Sequence, residues 1–334
     1  MSLPSGAPST PRLALVGCGV VAETGHLPAL RQIGHRPALL VEPDRERAER
    51  LAAEFDVPAT AADHRAVAGA ADAAVVAVPA RFHAPIAAEL LAHGVHVLVE
   101  KPMAPSFDEC SAIVDAAREG DAVLAVGLMR RFLAASQWTK ARLAEGVLGD
   151  VTSFDFRDGV AFSWPASTDS LFRRETSGGG VLMDIGPHAL DQLLWWLGPV
   201  REVEYVDDAL GGVEADCRLS LEMESGARGT VELSWTRHLR NTAVITGSRG
   251  TLEVALEGTW ATERLARRPF RRRHDFAPHT WVDLLARELE DWLGAIQGGT
   301  SVGSASAAAA GIRLIERCYE VRKPLLLPWM RPSA

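Results

Sequence analysis

Leu13-Ala14-Leu15-Val16-Gly17-Cys18-Gly19-Val20-Val21-Ala22 decides the fold. An apolar run of strand length stops at a glycine, a second glycine follows one residue later, and a helical pattern continues to Ile33. This is G-x-G-x-x-G/A between a strand and a helix, where glycines permit a tight turn and bring a pyrophosphate close to the helix N-terminus. The next apolar run, 38–41, ends in Glu42. A carboxylate there accepts hydrogen bonds from an adenosine ribose and repels a 2'-phosphate. Gly17, Gly19, Val20, Val21 and Glu42 are therefore expected to hold a dinucleotide, NAD favoured over NADP, with Arg45 and Arg47 leaving NADP open.

Outward from this stretch the pattern repeats. Apolar runs at 38–41, 73–78, 95–99 and 122–126 alternate with helical patterns at 45–55, 84–92 and 106–118. Strands that are apolar throughout are covered on both faces, so the first part reads as a doubly wound parallel sheet of the Rossmann kind. After Gly127 the segments 151–157, 201–206, 216–224, 228–235, 242–246 and 251–256 alternate apolar and polar residues, with turns at Ser225-Gly226 and Ser248-Arg249-Gly250. Helical patterns at 181–197, 282–296 and 305–321 accompany them. The fold class expected is α/β: an N-terminal Rossmann domain and a C-terminal α+β domain with an open, mostly antiparallel sheet. The boundaries expected are a flexible tail over 1–11, a nucleotide domain over 12–128, and a substrate-binding and oligomerisation domain over 129–334. A homo-dimer or homo-tetramer through the open sheet face is expected.

The 334 residues exceed what one core usually serves, in keeping with two domains. A net charge of −8 with arginines interleaved among acids argues against nucleic acid as a partner, and the basic cluster from Arg267 to Arg273 reads as a solvated loop. Cys18, Cys110, Cys217 and Cys318 are scattered without a CxxC pair, which fits a reducing cytoplasm. No signal peptide and no apolar run of membrane-spanning length is evident, so no membrane partner is expected.

In an open parallel sheet, ligands lie beyond the carboxyl ends of the strands. The run 95–99 ends there in Glu100-Lys101-Pro102, and 73–78 is followed by Pro79 and His83. Pro79 alone reads as a turn residue and His83 as a helix cap or packing residue. His93 and His96 read as surface histidines. Farther on, Ser177-Gly178-Gly179-Gly180 precedes Asp184, His188 and Asp191, whose spacing puts them on one helical stripe with Pro187 in the first turn. Three readings compete for that stripe: a metal site, for which no further ligands are evident; a structural polar cluster; and acid/base chemistry, with a carboxylate fixing the imidazole tautomer.

The chain resembles the Gfo/Idh/MocA oxidoreductases. The matching elements are GCGVVAETGHLPAL at 17–30, VEPDRERA at 41–48, VHVLVEKPMA at 95–104, GGGVLMDIGPHALDQLLWWLG at 178–198 and IRLIERCYE at 312–320. The resemblance implies a Rossmann domain, a second domain with an open mixed sheet, NAD or NADP, and sugar or cyclitol substrates. It makes Lys101 the catalytic lysine and Asp184 with His188 the catalytic pair. Val78-Pro79-Ala80 stands where members often carry Thr-Pro-Asn, and the segment 170–175 lacks their Trp-Arg, leaving Arg173 or Arg174 for that role.

The expected activity is hydride transfer between a nicotinamide and a ring carbinol carbon. Lys101, Asp184 and His188 are the catalytic candidates. Gly17, Gly19, Val20, Val21, Glu42, Pro79, His83, Glu100 and Lys101 are the cofactor candidates, and Lys101, Arg131, Arg173, Asp184 and His188 the substrate candidates. No metal is expected. Two alternatives stand beside this: a glycosidase that uses NAD transiently, which would accumulate no NADH, and a non-catalytic nucleotide-binding regulator, which would turn over no polyol.

Overall fold

The computed structural model describes residues 10–165, 169–209, 211–267 and 270–325, without the side chains of 169 and 170. Residues 1–9 of the expected tail lie outside this set. The chain forms two compact units.

The first unit comprises residues up to Ala104, Asp108–Gly127 and Thr280–Ser306. Its strands are β1 (Leu13–Val16), β2 (Leu39–Val41), β3 (Thr60–Ala61), β4 (Ala73–Val76), β5 (His96–Val99) and β6 (Leu124–Val126), ordered β3-β2-β1-β4-β5-β6. Every neighbouring pair is parallel. Side chains of β1, β2 and β4 are buried throughout, as runs of Leu, Val and Ala covered on both faces must be. The order reverses at β1 and β4, so the crevice beyond their carboxyl ends is the position where such sheets take a ligand.

The return of 280–306 to this unit departs from the expected 129–334 domain. Its cause is the helix Trp281–Ile296, whose apolar stripe of Leu284, Leu285, Leu289, Trp292 and Leu293 is buried. Leu285 and Trp281 stand so close to Gly25 that a Cβ there would lie 2.6 Å and 3.0 Å from them. A Thr280–Asp283 capping box starts this helix, and Asp283 also accepts from Gln32 at 2.9 Å.

The second unit comprises 105–107, 128–279 and the residues from Ala307 onward. Its strands are β7 (Val151–Gly159), β8 (Val200–Asp207), β9 (Asp216–Met223), β10 (Arg228–Ser234), β11 (Thr242–Gly247), β12 (Gly250–Ala255), β13 (Trp260–Leu265), β14 (Arg272–Asp275) and β15 (Arg322–Pro324). They form one sheet in the order β14-β13-β12-β11-β7-β10-β9-β8-β15. The sheet is mixed, because β7 with β10 and β8 with β15 pair parallel while the other neighbours are antiparallel.

Register aligns a buried row across this sheet: Tyr205, Leu219, Val231, Phe156, Ala243, Val254 and Ala261. The adjacent residue along each central strand faces the other way, giving a row of Ser220, Thr230, Asp155, Val244 and Glu253, polar but for Val244. The basic cluster is not a plain loop. Residues 272–275 form the edge strand β14, where Arg271 bonds Thr262 and Glu253, and Arg273 lies 5.0 Å over the Trp260 ring. Charge on an edge strand disfavours further strand pairing.

Candidate active site

Gly17 turns the chain at φ +93°, a conformation open to glycine, and its N–H donates to Val41 O at 2.8 Å. A Cβ there would lie 2.4 Å from Ala77 O, so the turn is packed tightly against β4. Gly19 is the opposite case: it is exposed, and a Cβ would meet nothing within 4 Å. Val20 and Val21 follow in the first helical turn, ahead of the bond from Glu23 N–H to Gly19 O. Open room before a helix start, walled below by backbone, fits a pyrophosphate. Glu42 accepts from Cys18 N–H at 2.9 Å and Asp44 N–H at 3.1 Å, with Arg47 at 3.7 Å, so the acid sits beside the glycine turn as a ribose partner must. Burial, then the charge of Glu42, pushes the Cys18 thiol up to about 12, so it stays protonated.

The glycine-turn helix changes pitch ahead of Pro28. Leu27 N–H reaches back to Ala22 O, a wide turn spanning Ala22–His26. Pro28 lacks the N–H that Thr24 O would accept, and its ring crowds that carbonyl, so the preceding turn opens. This turn carries His26, fully buried, whose Nε2 lies 2.7 Å from Glu100 Oε1. The other oxygen of Glu100 accepts the Lys101 N–H at 3.0 Å. Burial alone would raise the Glu100 carboxyl, but the His26 hydrogen bond and the Lys101 charge outweigh it and hold the group below the usual range. Lys101 is thus fixed through its main chain at the end of β5, two strands from the glycine turn on the same edge of the sheet.

His83 is not placed as a cofactor contact. It is buried, with Nδ1 2.8 Å from Pro102 O and Nε2 2.8 Å from Val78 O, so it ties the loop after Lys101 to the end of the β4 region. Burial lowers its pKa despite both carbonyls. Pro79 caps the short turn Ala80–Phe82. His96 is half-buried rather than on the surface, and its Nδ1 accepts the Val123 N–H at 2.9 Å.

In the second unit the expected continuous helix 181–197 is broken. One turn, Val181–Asp184, precedes the helix Gly186–Leu197, because Pro187 cannot bond back to Met183. Ile185 between them keeps helical dihedrals, and the three polar residues of the stripe have these places. Asp184 accepts the indole N–H of Trp235 at 3.1 Å, His188 lies in the first turn of the second helix, and Asp191 turns to Arg131. Arg131 Nε and Nη2 bond the two Asp191 oxygens at 2.8 and 2.6 Å, and both side chains are buried. The structure therefore gives Arg131 a partner inside the protein instead of the ligand-facing position expected. Burial raises the Asp191 carboxyl against the opposing pull of Arg131. Arg173 is exposed where the chain enters the turn Arg174–Ser177.

Glu214 grips the start of the segment that carries Asp184 and His188. Its Oε1 accepts the N–H groups of Gly180 at 2.9 Å and Leu182 at 3.1 Å, and its carbonyl accepts Val181 N–H at 2.8 Å. Tyr319 adds its hydroxyl to the same Oε1 at 2.8 Å. The triple glycine exists for this closeness, since a Cβ on Gly179 would lie 1.9 Å from the Tyr319 hydroxyl and one on Gly180 2.0 Å from Glu214 O. His26, Glu214, Tyr319 and Trp235 were not singled out from sequence. The only trace of them was position: His26 lies inside GCGVVAETGHLPAL and Tyr319 inside IRLIERCYE.

A glycine turn that accommodates a dinucleotide, an acid beside it and a strand-end lysine define an NAD(P)-dependent dehydrogenase. The comparisons agree. Residues 11–128 match the model of the Gfo/Idh/MocA oxidoreductases with an NAD-binding Rossmann fold, and residues 136–253 match the GFO/IDH/MocA C-terminal domain. The chain belongs to the Gfo/Idh/MocA oxidoreductase family. It is 30% identical to a putative UDP-kanosamine synthase oxidoreductase subunit of Amycolatopsis mediterranei, over 73% of this chain and 74% of that protein. It is 26% identical to D-xylose 1-dehydrogenase (NADP(+)) 2 of Haloferax volcanii, over 92% and 95%. A solved levoglucosan dehydrogenase, in complex with NADH and levoglucosan, shares the fold at TM-score 0.83 and 22% identity, over 93% of this chain and 96% of that one. No helix among the described residues is long and apolar enough to cross a membrane.

Proposed function

We propose that this chain oxidises a ring hydroxyl of a sugar, cyclitol or derivative with NAD, or reduces the corresponding ketone. Nicotinamide, when bound, supplies the hydride acceptor or donor. Gly17, Gly19, Val20 and Val21 hold its pyrophosphate, and Glu42 accepts from the ribose and repels a 2'-phosphate, which favours NAD. The imidazole of His188 takes the hydroxyl proton. The Lys101 ammonium donates a hydrogen bond to a substrate oxygen and stabilises the charge developing there. Asp184 orients the imidazole or a neighbouring hydroxyl, and Arg173 contributes to substrate binding. Glu100 is a positioning residue for Lys101, as Glu214 is for Asp184 and His188.

One observation carries this reading: Lys101 stands at the carboxyl edge of the sheet that carries the glycine turn, with its main chain fixed by Glu100. The sugar substrates named for the xylose and levoglucosan dehydrogenases support the substrate class. A cytoplasmic homo-oligomer, joined through the polar face of the second unit's sheet, belongs to the same reading, and sedimentation tests the assembly.

The test is a screen of sugars, inositols and ketosugars with NAD and NADP, followed at the nicotinamide absorbance. We expect turnover of at least one substrate. In His188→Asn, kcat falls by about 10²–10⁴ while NADH binding, read by fluorescence, is kept. Absence of turnover across the screen, or an unchanged kcat in the variant, refutes the assignment.

A further inference from the structure

The reading above leaves an aromatic cluster beside Asp184 without a task. Trp235, whose indole N–H goes to Asp184, meets Phe162 at 5.3 Å and Phe172 at 6.1 Å between ring centroids, and those two meet at 5.2 Å, all edge to face. The cluster sits just past the ends of β7 and β10: Val160 N–H donates to Ser234 O at 3.1 Å and Phe162 N–H to Trp235 O at 2.8 Å, so two main-chain bonds join the segments that carry Phe162 and Trp235.

Trp235 is buried, but Phe172 and Trp164 are each 44% exposed and Val160 is 41% exposed. Among the described residues six large apolar side chains are exposed, and three of them fall between positions 160 and 172. Isolated exposed apolar residues are ordinary, whereas an exposed ring such as Phe172, packed on further rings beside a polar site, marks binding. The one N–H of Trp235 is already spent on Asp184, so the three clustered rings offer carbon. A hydroxyl laid there would leave water and gain no partner, which suits the patch to a part of the ligand that has none.

We propose that this cluster is a subsite for a flat apolar substituent, an aryl aglycone above all, on the sugar or cyclitol that Asp184 and His188 act upon. The proposal rests on the functional reading above. Rings packed edge to face hold a further ring in the same geometry, and the main-chain bonds from Val160 to Ser234 and from Phe162 to Trp235 tie two of them together.

The experiment compares the methyl and phenyl glycosides of a sugar that the screen finds oxidised. The readout is the ratio of their kcat/KM values in the wild type, Phe172→Ala and Phe172→Leu. A phenyl preference of about tenfold or more is expected, falling towards one in Phe172→Ala and partly kept in Phe172→Leu. Equal kcat/KM values in the wild type, or a preference that survives both variants, overturns the subsite and leaves the dehydrogenase reading standing. If no sugar is oxidised, that reading fails by itself. Calorimetric binding of phenyl and methyl glucoside to the NADH-loaded chain then decides the subsite, with tighter phenyl binding lost in Phe172→Ala supporting it and equal binding overturning it. An unchanged ratio accompanied by a lower sedimentation mass in Phe172→Ala identifies the patch as an interface between copies, which also overturns it.

Discussion

Removing the His26 imidazole separates what holds Lys101 from what merely fills space. Glu100 is 12% exposed on its side chain and His26 is 0% exposed, at 2.7 Å. Breaking a buried pair by deleting one partner costs about 3–5 kcal/mol, because the other charge stays buried. The residual exposure of Glu100 places His26→Ala at the lower end, about 3 kcal/mol, or on the order of a hundredfold in the unfolding constant. Denaturant unfolding at neutral pH reads this directly. A double variant, His26→Leu with Glu100→Met, replaces the pair by apolar groups and recovers stability to within about 1 kcal/mol of the wild type. It does not recover turnover, since the Lys101 N–H has lost its acceptor. The pH dependence has a definite sign. The folded Glu100 carboxyl is held below its usual 4.5, so the unfolded chain binds the extra proton in between. Its contribution is complete above 4.5 and is lost as pH falls through the folded value, so the gap between wild type and His26→Ala narrows in acid. A single variant within about 0.5 kcal/mol of wild type, below the usual cost of any buried-pair loss, refutes the pair. A double variant with wild-type kcat refutes the positioning of Lys101.

Two further variants probe the other acids. Tyr319→Phe removes one charge-assisted hydrogen bond from Glu214 and leaves its main-chain donors, so unfolding becomes easier by about 1.5–3 kcal/mol; an unchanged midpoint shows that Tyr319 contributes nothing to that turn. Glu42→Ala takes away the charge facing a 2'-phosphate, and the NADP-to-NAD ratio of kcat/KM rises by about tenfold. A constant ratio means that Glu42 serves only the Cys18 N–H.

The sheet of the first unit was legible because fully covered strands are written as uninterrupted apolar runs, and the glycine turn because the positive φ and close packing at Gly17 leave no other residue there. Two-residue β3 and the edge strand β14 were not, since Thr60-Ala61 carries no period and Arg272-Arg273-His274-Asp275 is charged on both sides. The placement of 280–306 was hidden for a different reason. A stripe of Leu284, Leu285, Leu289 and Trp292 declares a packed helix but does not name what it packs against. In the site, Lys101, Asp184 and His188 stood out because their residue types carry chemistry. Pro187 was read as tolerable in a first turn, and it is, since the helix begins anew at Gly186; the partners that Asp184 and Asp191 take, Trp235 and Arg131, lie on other segments that the spacing does not name.

Glu42, Glu100 and Glu214 solve one problem three times. A loop that faces a ligand cannot spend its N–H groups on a helix or sheet ladder, yet leaving them unpaired in a partly buried place is costly. A carboxylate satisfies them from behind: Cys18 from Glu42 and both Gly180 and Leu182 from Glu214, each on a distant segment, and Lys101 from its own neighbour Glu100. The device distinguishes the two helix starts. At Gly180 the acid occupies the positive end of the helix itself and adds its carbonyl to Val181, so that end is closed to an anion. At Gly19 the acid stands one residue earlier, on Cys18, and the first turn through Val20 and Val21 opens onto the room that a pyrophosphate needs. Fixing a loop and leaving it receptive to phosphate thus differ by which N–H the carboxylate takes.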